Sequence, residues 1–302
     1  MKKLIALVTL LAMLLCSFAA VAELDVTELR IQFVPTNTET ADATTAAFNE
    51  YMTNLLGVPV KMTVATSYNA IVEAMESGTV DVGIMPPATY VQARDMGVAH
   101  AILSSVLTDY DQVTEQLLPG TQVGSFKAEV LVRADSGING YEDLAGKTIA
   151  YLGASSASGY IYPLAEMKMA GIDTESCNWV NITSVPSAIL AVVKGDVDAC
   201  FTFEGSRYVF ANAVLKDDGT PYDLYTELKV AKLSDGDIPN DAVAVSAKVS
   251  DATAEAVKQA FLDMAADPDG LAIMQTWNHN GYVEANEADY DTIANYIDLA
   301  TE

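Results

Sequence analysis

The chain has 302 residues, 51% of them hydrophobic, and carries 16 Lys and Arg against 41 Asp and Glu for a formal net charge of −25. So acidic a balance excludes a nucleic-acid partner and long-range attraction of anions, so an anion site must work through local hydrogen bonds. Two histidines and the lack of HExxH, Cys-x-x-Cys, GxSxG and P-loop patterns count against an enzyme, since a serine nucleophile needs a base within reach and Lys147 lies at the far end of its strand from the serines.

Lys2 and Lys3, the apolar run from Leu4 to Phe18 and Ala20-Val21-Ala22 read as a secretory signal peptide over 1–22, too short to span a membrane. Lipid attachment at Cys16 is disfavoured, because Leu14 and Leu15 stand where such signals carry a small residue. The remaining chain is predicted to be exported and monomeric. Its cysteines, Cys177 and Cys200, are compatible with a disulfide or with two buried thiols.

From Glu28 onward strands and helices alternate. Strand signals cover 29–34, 60–64 and 80–85, with helices over 44–56 and 68–77 between them. Residues 126–133 read as a strand leading out of a first lobe, and 238–245 as a strand returning to it. Helices over 253–266 and 289–299 pack back on that lobe. Ala74 to Asp81 also lines up with Ala191 to Asp198, each an apolar helix ending at glycine, then Val-Asp opening a strand. A repeat 117 residues apart implies two α/β lobes, each a mostly parallel sheet flanked by helices, joined by a hinge of two crossing strands. The boundaries expected are 23–132 with 242–302 for lobe 1 and 133–241 for lobe 2.

Within lobe 2, Gly146 to Leu152 reads as a strand and Tyr162 to Met167 as a helix that stops near Gly171. Between them lies Ser155-Ser156-Ala157-Ser158-Gly159-Tyr160, a hydroxyl-rich turn. Such a turn is either an ordinary serine cap or an oxyanion pocket built from hydroxyls and free N–H groups.

Taken together, these residues resemble the type II periplasmic binding proteins of the phosphate, phosphite and phosphonate group, the soluble receptors of ABC importers. The likeness is carried by Ala65 to Tyr68, Gly78 to Gly83, Pro86 to Tyr90, Ser136 to Ile138 and Asp143 to Lys147. Ser155 to Tyr160 with Pro163, and Ile238 to Asp241, complete it, over about 28–295. The resemblance implies no cofactor and no metal, a membrane permease as partner, and a small oxyanion (phosphonate, phosphite or phosphate) held by hinge closure. It places Ser155, Ser156, Ser158 and Gly159 on the ligand from lobe 2, and Tyr68 and Tyr90 from lobe 1. Phosphonate binders commonly carry a histidine where this chain has Ile182 to Ser187, so Ser184 or Ser187 is expected to replace it. His100 and His279 are assigned to structure or surface. Glu204 and Asp241 match positions that face an amino group, which favours a zwitterion or a protonated oxyanion. Other readings are a binder of sulfonate, nitrate or a pyrimidine precursor, a receptor for a membrane sensor, and an exported hydrolase.

Overall fold

A computed structural model describes residues 24–33, 41–111 and 114–302. The expected leader, with Cys16, lies outside the described residues. The strands are β1 (Leu29–Phe33), β2 (Val60–Val64), β3 (Val82–Met85), β4 (Ala99–Ser105), β5 (Ser125–Phe126), β6 (Ala128–Arg133) and β7 (Thr148–Tyr151). They continue as β8 (Asn178–Asn181), β9 (Ala199–Phe203), β10 (Leu228–Leu233), β11 (Ile238–Pro239), β12 (Ala242–Ser246) and β13 (Tyr282–Glu284). The helices are α1 (Ala41–Leu56), α2 (Tyr68–Ser77), α3 (Pro87–Asp95), α4 (Tyr162–Met169) and α5 (Val185–Lys194). After them come α6 (Ser206–Val209), α7 (Leu224–Glu227), α8 (Asp251–Ala266), α9 (Pro268–Met274) and α10 (Glu287–Thr301).

Two sheets organise the molecule, one of six strands in the order β13-β4-β12-β3-β1-β2 and one of five in the order β10-β6-β9-β7-β8. Each has a parallel trio, β2-β1-β3 and β8-β7-β9, extended by antiparallel strands. The sheets are therefore mixed rather than mainly parallel, because β6 and β12 enter from the crossings and run against the trios. Since β6 pairs with β9 and β10, the chain enters the second sheet before Ala128, earlier than residue 133.

The hinge is the two-stranded ribbon β5–β11, pairing Ile238 with Phe126 and Pro239 with Ser125. The expected single return strand is broken at Asn240–Asp241 into β11 and β12. The Asn240 amide donates to the carbonyls of Ser105 at 3.0 Å and Val123 at 2.8 Å and ties the break to its surroundings. Ala128 pairs with Phe203 and Ala242 with Met85, so both sheets join the hinge at the carboxyl ends of their parallel strands. Loops after those ends are where open α/β sheets bind ligands.

The repeat is reproduced bond for bond. Gly78 and Gly195 terminate α2 and α5 with φ of 79° and 77°, the left-handed conformation that glycine adopts without a Cβ penalty. Two further contacts join the lobes. Residues 107–111 and 114–123 flank a strap pinned by the Leu107–Val123 and Tyr110–Leu117 bridges, and Glu115 stands against Arg207 of α6. Both side chains are buried, with Arg207 Nε at 3.0 Å from each Glu115 oxygen. On another side α10 packs on α3 and α4, with Tyr162 and Tyr296 stacked at 3.9 Å.

Cys177 and Cys200 are free thiols. Cys200 packs with Ala150, Leu131 and the α5 residues, while Cys177 packs with Ile149, Val130 and Phe201. Successive strand residues point to opposite faces, so the two thiols belong to cores on opposite sides of one sheet. The disulfide alternative is thereby set aside.

Candidate functional site

The floor of the site follows β7. The chain turns at Gly153 and winds one π-helical turn over Ala157–Ile161 before α4. Ser156 is the cap of that turn, its Oγ accepting from Gly159 N at 3.1 Å. A Cβ on Gly159 would stand 2.6 Å from Leu152 Cγ and Cδ1, so only glycine lets the turn close on Leu152. With Ser156 occupied, the free hydroxyls are those of Ser155 and Ser158, neither of which has a hydrogen-bond partner among the described residues. Ser158 is buried all the same, at 8% exposure.

A second helix start stands after β8. Ser184 precedes α5 without capping it, and Ser187 Oγ donates instead to Ser184 Oγ at 3.1 Å. Both serines are exposed. After β9, Glu204 Oε2 accepts from Lys127 N at 3.2 Å, whereas Oε1 is buried with no partner. Burial pushes the Glu204 carboxyl upward, helped by the charge of Asp109. Lys127 itself is spent on the Asp235 carbonyl and the Asp237 carboxylate, both at 2.9 Å.

From the first sheet, Tyr68 opens α2 beneath the Ser67 cap. It is half-buried, and its hydroxyl pKa is raised first by burial and then by the Asp241 charge, which puts phenol and carboxylate in one neighbourhood. Asp241 stands at the break between β11 and β12, its carbonyl accepting from Ser105 N at 2.9 Å. Its Oδ2 lies 3.3 Å from Nε2 of His279.

Tyr90 departs from its expected role. It is fully buried, its hydroxyl donates to Glu287 and accepts from Ala101 N at 3.0 Å, and its ring meets Tyr290 at 4.6 Å. With both hydrogen-bonding functions used inside the first lobe, it has nothing to offer a ligand. His279, assigned to structure or surface, is a buried residue whose ring lies within hydrogen-bond distance of Tyr282 and Asp241. Buried oxygens without partners also include Thr89 Oγ1, Ser105 Oγ and Asn240 Oδ1, all near the carboxyl ends of β3 and β4. Thr89 had a sequence signal in its place after Pro86-Pro87 at a helix start; Ser105 had none.

The arrangement supplies neutral hydroxyl and amide donors from the second sheet, with carboxylates at Glu204 and Asp241. Among the described residues no group of three or more His, Cys, Asp or Glu could hold a metal ion, and no helix is long and apolar enough to cross a membrane.

Residues 31–290 match the family described as ABC transporter, phosphonate, periplasmic substrate-binding protein. A phosphate-import protein PhnD of Mycolicibacterium smegmatis is 32% identical over 158 residues, 49% of this chain and 46% of that protein, so the match spans about half of the relative. In fold the chain is similar to a binding-protein component of an ABC phosphonate transporter from Pseudomonas aeruginosa. That likeness has a TM-score of 0.72 at 16% identity and covers 92% of this chain and 87% of the other. It is also similar to PhnD1 of Prochlorococcus marinus in complex with methylphosphonate, with a TM-score of 0.67 at 16% identity, covering 89% and 97%. Members of the matched family are transport receptors rather than enzymes, and the match spans most of both sheets and the hinge. The chain belongs to the family of periplasmic substrate-binding proteins of phosphonate ABC transporters.

Proposed function

We propose that this protein captures a small tetrahedral oxyanion of the phosphonate class between its two sheets and delivers it to a membrane permease. The observation that carries this reading is the turn after β7, where Ser158, only 8% exposed, keeps a hydroxyl with no partner among the described residues at the hinge side of the second sheet. Ser155, Ser184 and Ser187 extend that donor surface. Tyr68 and Asp241 close over it from the first sheet as the β5–β11 ribbon bends. Two carboxylates beside an anion are repulsive unless the ligand brings a proton, so Asp241 and Glu204 favour a ligand with an acidic O–H or an ammonium group. Neutral donors contribute roughly 1 kcal/mol each and more to a charged acceptor, enough in sum for micromolar binding.

The test is a thermal-shift panel of phosphate, phosphite, alkyl and aminoalkyl phosphonates, sulfonates and nitrate. Ligand at a hundredfold excess over Kd stabilises by about 2.7 kcal/mol, so a phosphorus oxyanion should raise Tm by several degrees. A larger rise with sulfonate or nitrate, or none with any phosphorus compound, overturns the reading.

A further inference from the structure

His279 lies between α9 and β13 and is 2% exposed. Its Nδ1 is 3.0 Å from the Tyr282 hydroxyl and its Nε2 3.3 Å from Asp241 Oδ2. The rings of Trp277 and Tyr282 stand edge-on to the imidazole at 6.3 and 5.6 Å, so packing as well as hydrogen bonding fixes its plane. A carboxylate oxygen accepts, so a hydrogen bond to Asp241 needs the hydrogen on Nε2, and a ring with that one hydrogen has Nδ1 free to accept from the Tyr282 O–H. Asp241 is thereby held at Oδ2, while its other carboxylate oxygen has no partner among the described residues.

We propose that His279 is a positioning residue for ligand binding: the Tyr282–His279 pair orients Asp241 so that its free oxygen meets the proton-bearing group of the ligand beside Tyr68. This rests on the reading of Asp241 as a ligand contact given above. A carboxylate at the end of a hinge strand has rotamers to choose from, and a buried donor that removes that freedom in advance lowers the ordering cost of binding.

Two measurements test it. With only two histidines in the chain and His100 exposed, the imidazole nitrogens of His279 can be assigned by NMR. The proposal requires the Nε2–H tautomer and a shift of that nitrogen in Asp241→Asn. The Nδ1–H tautomer, or a spectrum indifferent to Asp241→Asn, overturns it, and this readout needs no ligand. Calorimetry with methylphosphonate then compares variants. His279→Leu should weaken binding about tenfold, Asp241→Asn on top of it should add little, and His279→Gln, which keeps a donor at the Nε2 position, should recover most of the loss. Unchanged affinity in His279→Leu, or a Gln variant as weak as Leu at equal Tm, overturns the positioning role. Wild-type protein that does not bind methylphosphonate, phosphate or phosphite strikes the ligand reading instead, and the NMR result alone then decides whether His279 orients Asp241.

Discussion

In the first sheet, α2 ends at Gly78 and starts under a working cap, Ser67 Oγ accepting from Ala70 N at 3.2 Å. In the second, α5 ends at Gly195 in the same way but starts at Ser184, whose side chain caps nothing. The far ends of the two units are interchangeable. Asp81 accepts from Arg30 N at 2.9 Å and donates to Arg30 O at 2.8 Å, and Asp198 does the same with Thr148 at 2.8 and 2.8 Å. The helix ends and parallel trios are thus common scaffold, while the chemistry differs at the edge beside the hinge. There the first sheet spends Ser67 and Tyr90 on itself and keeps the Thr89 and Ser105 hydroxyls buried without partners, whereas the second leaves Ser155 and Ser158 unpartnered in the serine turn.

That contrast breaks most forcibly where the sheets are tied together. Glu115→Ala leaves the Arg207 guanidinium buried without its ionic partner, and removing one member of a buried pair costs about 3–5 kcal/mol. Chemical denaturation should show that loss; a change below about 1 kcal/mol would mean the strap holds nothing.

The next effect depends on pH and belongs to the second sheet. Glu129 on β6 is fully buried, and burial, reinforced by the charge of Glu115, holds its carboxyl well above the usual glutamate value of 4.5. A raised acid keeps its proton in the fold and loses it in the unfolded chain, so stability declines as pH rises above about 4.5. Glu129→Gln cannot ionise. It should flatten the decline in a Tm series from pH 4.5 to 8, and an unaltered slope would refute the assignment.

Gly159→Ala forces a methyl into Leu152 and should cost about 1–3 kcal/mol by overpacking. Because the displaced turn carries Ser158, methylphosphonate affinity should fall with it. Retained affinity would place the anion floor elsewhere.

The sharpest contrast has the smallest effect on stability. Ser67→Ala removes a working cap and should cost about 1 kcal/mol with ligand affinity intact. Ser158→Ala removes a hydroxyl with no partner among the described residues, so stability should stay within about 0.5 kcal/mol while affinity drops roughly tenfold. Paired melting and calorimetry measure both, and the reverse outcome would exchange the roles assigned to the two edges.

Much of this scaffold was legible in the residues. Alternation marked β1, β2 and β7, glycines marked the ends of α2 and α5, and the repeat announced two sheets before any contact was known. The serine turn was legible as a cap or a pocket; Ser156 caps, while Ser155 and Ser158 have no partner among the described residues and stay available to a ligand. Tyr90 was misplaced because its partner Glu287 lies 197 residues away, and a tyrosine in a first helical turn looks alike whether its hydroxyl is engaged or idle. The disulfide stayed open because strand alternation assigns faces only once register is known, and the register puts Cys177 and Cys200 on opposite sides.

The sequence by itself determined the two-sheet α/β plan, the glycine-ended helices and the hydroxyl-rich turn. These are local consequences of periodicity, backbone conformation and hydrogen-bonding capacity over a few residues. Only the tertiary structure decided which hydroxyls are spent, that Glu115 reaches Arg207, and that His279 meets Asp241 across 38 positions. Such pairings depend on how whole strands cross and where loops return, and no short stretch of side chains encodes that geometry.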